Sequence, residues 1–223
     1  MSQLLTSTAP ANGPAMPGLA AGDPGRSGRD AFELVGAGDP RRAGLERFIA
    51  DAFQASYGAR VTHFCDTLVG CRDAGGAWSA ALGYSLAASG PVFLEQYLDA
   101  PLETDIGARL GRPVTRQEVV EVGNLAASCP GQARALIMHT TDLLYHMGLH
   151  LVAFTATASL LNSFGRLRLQ PRFLAPADPA RLPQSGRDWG SYYDTQPQVM
   201  FGDIRYGYEK LARLSSRTRS AAQ

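Results

Sequence analysis

Two polar side chains interrupt an otherwise apolar run, Val-Val-Glu-Val-Gly-Asn-Leu-Ala at 119–126, and chemistry in this chain starts from them: Glu121 and Asn124. A carboxylate inside a strand is costly unless it is paired, hydrogen-bonded or neutralised, so Glu121 has either a structural partner or a job as a proton acceptor. Gly123 between them reads as a bulge, where a strand bends or a ligand comes close. The run hands over to Ser-Cys-Pro-Gly at 128–131, a turn that opens a helix, with Pro130 in the first helical turn and Ser128 or Cys129 as its cap. Free backbone N–H groups at such a start collect an anion, which makes Gly131, Gln132, Ala133 and Arg134 candidate binding residues. Cys129 is open to two readings, a thiol activated by the helix start or an ordinary one; no histidine partner is evident in sequence.

The elements that must position these residues follow from periodicity. Residues 119–126 read as a buried strand, and 132–147 as a helix with Ala133, Leu136, Ile137, Thr140, Leu143, Leu144 and Met147 on one face, ended by Gly148. Residues 151–157 read as a second buried strand and 158–164 as the start of another helix, completing a βαβ unit whose mostly apolar strands are covered on both faces. Around it the sequence predicts a strand at 32–35, a helix from Asp39-Pro40 to Tyr57-Gly58, and an antiparallel hairpin of 61–69 with 78–87. A helical stretch follows at 91–110, broken near Pro101, then a strand entry at Trp189 and a short helix at 208–214. The predicted architecture is a single α+β domain over 31–214. The Ala-, Gly-, Pro- and Ser-rich residues 1–30 read as a disordered tail and 215–223 as a flexible end.

Composition narrows the function classes. The net charge of +1 gives no reason to invoke a nucleic acid or an anionic membrane. Three cysteines, Cys65, Cys71 and Cys129, make an odd count without C-x-x-C spacing, against a disulfide framework or a zinc knuckle. His139, His146 and His150 stand at helical spacing and with His63 suggest a metal set, but Gly148 should end the helix before His150 and no carboxylate sits at ligand spacing, so they read as ordinary solvent-side histidines and no metal is expected. With no Lys or Arg before Arg26, the N-terminus lacks a signal peptide's basic region, and no run approaches the roughly 18 apolar residues of a membrane span. A cytoplasmic protein is the expectation. Arg41, Arg42 and Arg47 read as a solvated face or as a docking surface for a carrier protein.

The bulged strand, the x-x-G-x-A turn opening a helix, the parallel second strand and the short helix after it together resemble the GNAT acyltransferase core. The run 166–174 resembles the strand that follows the fourth helix of that core and is read as a strand on that ground alone. Ser128 stands where that pattern prefers Gln or Arg, and Arg134 is the candidate for the missing positive group. Over about residues 31–210 the chain resembles the thermostable hemolysin family, through Tyr-Gly-Ala at 57–59, Phe-Leu-Glu-Gln-Tyr-Leu-Asp at 93–99, Glu-Val-Gly-Asn-Leu-Ala at 121–126, Phe-Thr-Ala-Thr at 154–157, Asn-Ser-Phe at 162–164 and Trp-Gly-Ser-Tyr-Tyr at 189–193. The core is also similar to acyl-homoserine-lactone and N-acyl amino acid synthases.

The resemblance implies a GNAT-like mixed sheet flanked by helices. It also implies transfer of an acyl group from acyl-CoA, or from the phosphopantetheine of an acyl-carrier protein, to a small amine. Glu121 would be the base, with Asn124 beside it. Tyr193 would protonate the leaving thiolate or merely pack. Backbone groups of Leu125, Ala126 and Ala127 would pair with the pantetheine amides, and Gly131–Arg134 and Asn162 would serve the rest of the donor. Phe93, Tyr97, Phe154 and Tyr192 would line the acyl and acceptor pocket, unless they are core residues. Two other classes stay open: a membrane-active lytic protein, as the family label says, and a GNAT-like domain that binds without turnover.

Overall fold

The computed structural model describes residues 32–220, so the tail expected over 1–30 lies outside the described residues. Strand β1 (Phe32–Val35) and helix α1 (Arg42–Tyr57) come first, with Gly58 in the left-handed conformation closing the helix. A hairpin of β2 (Thr67–Arg72) and β3 (Trp78–Leu86) follows, then helix α2 (Leu102–Leu110). The central unit is β4 (Val119–Ala127), α3 (Pro130–His146) and β5 (Leu151–Ala156). Helix α4 (Ala158–Arg166), strands β6 (Arg172–Pro176) and β7 (Gln198–Asp203), and α5 (Ile204–Ser220) complete the chain.

The strands form one sheet in the order β1-β2-β3-β4-β5-β7-β6. Only β4 and β5 run parallel, as the predicted βαβ unit requires; every other pair is antiparallel. Alternation along β2 sends Leu68 to one face, against Leu45 and Ile49 of α1, and Val69 to the other, against Leu136 and Leu144 of α3. Both faces are therefore covered, which is why β2 and β3 read as continuous apolar runs.

Several expected boundaries move. β2 begins at Thr67 rather than 61, because 58–66 is a loop pinned by side chains from elsewhere. The stretch 91–110 is a 3₁₀ turn, Phe93–Tyr97, followed by α2 from Leu102, and the carboxylate of Glu95 accepts from the N–H groups of both Val92 and Leu102 across the break. The strand expected at 166–174 starts at Arg172, since α4 runs to Arg166 and Arg168 turns the chain at φ 56. Trp189 opens no strand: 183–195 makes 3₁₀ turns and the strand begins at Gln198. The last helix starts at Ile204, with the Asp203 carboxylate accepting from the Tyr206 N–H at 2.7 Å, and continues past 214 because no Gly or Pro stops it.

Two irregularities in β4 position everything that follows. Between the pairs Gly83↔Gly123 and Ala81↔Ala126, β3 advances by two residues and β4 by three, so β4 carries one extra residue. The bulge follows Gly123, where the sequence marked one, and its left-handed residue is Asn124, φ 55; asparagine tolerates that conformation better than most residues do. Gly123 serves space instead, since a Cβ there would lie 3.4 Å from the Cys65 sulfur. Second, β4 and β5 pair only from Val119↔Leu151 to Val122↔Phe154. Beyond that point β4 stays with β3 and β5 stays with β7, and the two central strands part.

Candidate active site

A cavity of about 390 Å³ occupies the parting. Gly123, Asn124 and Leu125 of β4 form one wall, Phe154 and Thr155 of β5 the other, with Thr157 and Ser159 at the head of α4. Residues from both faces of the sheet line it, Glu121 from one and Val122 from the other. On the α3 face the lining is apolar, with Ile137, Leu144, Val152, Phe164 and Ile204. The polar residues that α3 adds there are Thr140 and Thr141: the Thr141 hydroxyl donates to the Ile137 carbonyl, whereas Thr140 is 3% exposed and among the described residues its hydroxyl has no hydrogen-bond partner. On the opposite face the lining is aromatic.

Glu121 is 6% exposed and joins the two ends. Its carboxylate accepts from the backbone N–H groups of Phe93 (2.7 Å) and Leu94 (3.2 Å), the first residues of the 3₁₀ turn. Burial raises its pKa to about 7 against those two hydrogen bonds, which pull the other way. The carboxylate thus has the structural partners that one of the two readings required, and it also lines a cavity, where the other reading needs it.

The Asn124 side chain is spent on positioning, its Oδ1 accepting from the Cys65 N–H at 2.9 Å and its Nδ2 donating to the His63 carbonyl at 3.1 Å. That brings the 58–66 loop, and with it His63, to the cavity. His63 stacks on Phe93 with ring centroids 4.8 Å apart, and burial lowers its pKa against the pull of Asp66. Sequence reasoning missed it because nothing near His63 signals its place; the tie runs through Asn124, 61 residues away. Cys65 lines the same region, and burial, aided by the Glu121 charge, pushes its thiol up to about 12, which leaves it un-ionised.

Of the other predicted residues, Phe93, Tyr97, Phe154, Tyr192 and Leu125 line the cavity. Tyr193 does not; its hydroxyl lies 2.5 Å from that of Tyr97, which stands in front of it. Burial pushes the Tyr193 phenol up to about 12 and the Tyr97 phenol higher. Ala126 and Ala127 pair with β3 on one edge, and the edge facing β5 lies beyond the last β4–β5 pair. Gly131, Gln132, Ala133 and Arg134 form the first turns of α3, outside the lining. Asn162 is exposed on α4, whose wall residues are Ser159, Leu160, Ser163 and Phe164. Cys129 is exposed at the start of α3 and makes no side-chain cap. Among the described residues, no three His, Cys, Asp or Glu side chains are grouped to hold a metal ion.

The family model for thermostable hemolysin matches residues 35–208. No curated protein matches the chain. Among solved structures, a CoA-dependent acyl-homoserine lactone synthase, BjaI, with SAM and isopentyl-CoA, superposes with a TM-score of 0.55 at 13% identity, over 85% of this chain and 89% of that one. The AHL synthase LasI gives 0.55 at 9% identity, over 79% and 90% of the two chains. FeeM, an N-acyl amino acid synthase from uncultured soil microbes, gives 0.52 at 12% identity, over 79% and 93%. At such identities the likeness fixes the fold, a GNAT-like mixed sheet, and nothing finer.

Proposed function

The chain belongs to the thermostable hemolysin family, and we propose that it is an N-acyltransferase, carrying an acyl group from acyl-CoA or an acyl-carrier protein to a small amine. The observation that supports this reading most is the parting of β4 from β5 beside a buried carboxylate that titrates near neutrality. A thioester arm can enter such a parting as a pseudo-strand, its amides pairing with the β4 edge at Leu125–Ala127, while the first turn of α3 takes phosphate. The apolar lining under α3 suits an acyl chain. The donors named for the structural neighbours, isopentyl-CoA among them, agree with this assignment.

Amide formation needs a neutral amine. In this mechanism Glu121 takes the proton from the acceptor ammonium, and the nitrogen attacks the thioester carbonyl. The C–N bond forms as the C–S bond breaks and the thiolate leaves; Glu121 passes its first proton to that thiolate and then accepts the second proton, which the nitrogen sheds on becoming an amide. Thiols ionise near 8.5, so a phenol held at about 12 is a poor proton donor to a thiolate. The proton gathered by Glu121 is the better source, and Tyr193 then acts by orienting Tyr97. As a biosynthetic enzyme using CoA or carrier thioesters, the protein would work in the cytoplasm. The family label suggests a lytic protein as the second reading; among the described residues no helix is long and apolar enough to cross a membrane.

Thiol release from a panel of acyl-CoAs, with the amide product identified by mass spectrometry, tests the proposal. Gly131→Val supplies the control. A Cβ at Gly131 would meet nothing nearer than the Cys129 sulfur at 3.9 Å, so the variant should fold, yet it should lose stabilisation by the donor because bulk sits where phosphate approaches. Acylated carrier protein is the second donor. Failure of both donors to release thiol, together with leakage of liposomes, would overturn the assignment in favour of lysis.

A further inference from the structure

The aromatic end of the cavity is built for one kind of acceptor. Rings follow one another in contact, with centroids 4.8 Å apart for His63–Phe93, 5.9 Å for Phe93–Trp189, 5.4 Å for Trp189–Tyr192 and 5.2 Å for Tyr192–Tyr57. The charged group at this wall is Glu121, held by the N–H groups of Phe93 and Leu94. The chain has 21 Lys and Arg residues, yet none of the described ones lines any part of the cavity. Of the arginines around this end, Arg116 is held by Glu95 and Glu103 and Arg181 by Asp99, while Arg60 and Arg187, on the adjoining loops, are exposed and outside the lining.

An amino-acid acceptor brings a carboxylate with its amine. Here that carboxylate would be buried without a guanidinium to receive it and beside another carboxylate, a costly arrangement on both counts. An organic ammonium faces the reverse situation, since ring faces and a carboxylate both attract it.

We propose that the acceptor is an arylalkylamine lacking a carboxylate, its ring packed against Phe93, Trp189, Tyr192 and Tyr57 and its nitrogen directed at Glu121. This deepens, and rests on, the acyl-transfer reading above. The same wall explains how a neutral nucleophile arises: the cation is drawn in by Glu121 and gives its proton to the group that attracted it.

The test uses pairs that differ only in the carboxylate: tyramine against tyrosine, tryptamine against tryptophan, phenethylamine against phenylalanine. Binding to the full-length chain is measured by calorimetry without any donor, and amide formation with acyl-CoA is followed separately. The amine of each pair should bind at least about ten-fold more tightly than the amino acid, the minimum expected from removing one like-charge contact. Trp189→Phe should keep that preference and Trp189→Ala should weaken amine binding, while Glu121→Gln should shrink the ratio between the members of a pair. Equal or tighter binding of the amino acids overturns the proposal, and so does binding of neither member. Amines that bind selectively without amide formation from any donor would leave the site's preference for amines standing but overturn their role as acceptors, together with acyl transfer. Amide formation on the amino acids would do the opposite.

Discussion

Glu121 carries two duties that a single substitution separates. Glu121→Gln is nearly isosteric, but it places an amide N–H group beside one of the donors that now feed the carboxylate from Phe93 and Leu94. If the carboxylate is the base, turnover should fall about 10²–10⁴-fold with donor binding little changed, and the wild-type rate should rise with pH through about 7. A purely structural carboxylate predicts a lower melting temperature with normal turnover per folded molecule, and that result would sink the base assignment. The same residue makes stability pH-dependent with a definite sign. Its folded pKa is raised from 4.5 to about 7, so the folded state holds the proton more tightly. The stabilisation is fully present below 4.5 and is lost as pH rises through 7. At about 1.4 kcal/mol per pKa unit this amounts to roughly 3 kcal/mol. Urea unfolding at pH 5 and pH 8 should show wild type losing stability relative to Glu121→Gln across that interval.

At the scale of elements, the bulge in β4 is a joint between the sheet and the 58–66 loop. Asn124→Gly keeps the left-handed backbone and deletes both bonds to the loop, which should cost about 1–3 kcal/mol. Asn124→Ala should cost roughly a further 1 kcal/mol, because alanine resists φ 55. Denaturant midpoints of the two variants resolve these contributions, and equal midpoints would mean the backbone is unstrained there. This joint also marks where legibility in the sequence ended. β4, α3 and β5 were readable because apolar runs and three-and-four spacing are local records of burial. The acceptor end was not, because its loops are held by bonds between distant residues. The Arg60 N–H donates to the Asp188 carbonyl at 2.6 Å and the Ser191 N–H to the Tyr57 carbonyl at 2.8 Å. Trp189, with Tyr192 and Tyr193 after it, is β-prone by residue type. Its segment turns inward because those rings are buried against Phe53 and Phe93 instead. Glu121 was found as an unusual residue in an ordinary strand, and His63 was lost as an ordinary residue in an unusual loop.

Across the whole molecule, the sheet is two half-sheets, β1 to β4 and β5 with β7 and β6, sharing one ladder of four residue pairs. A joint this short, next to an open space, should be the least protected part of the sheet core. Binding of a long-chain acyl donor, which touches both halves, should slow amide exchange at Val119–Val122 and Leu151–Phe154 by about ten-fold, with little change in the β2–β3 hairpin. Uniform protection would show that the halves move as one body. The parting has a mechanical side as well. Four rungs at one end of an opening make a hinge with its lever arms on the cavity side, so a small rotation at the ladder becomes a large change in gap width further out. A thioester arm lying in that gap is then a wedge whose thickness sets the angle, and its departure would let the jaws close on whatever acceptor is still inside.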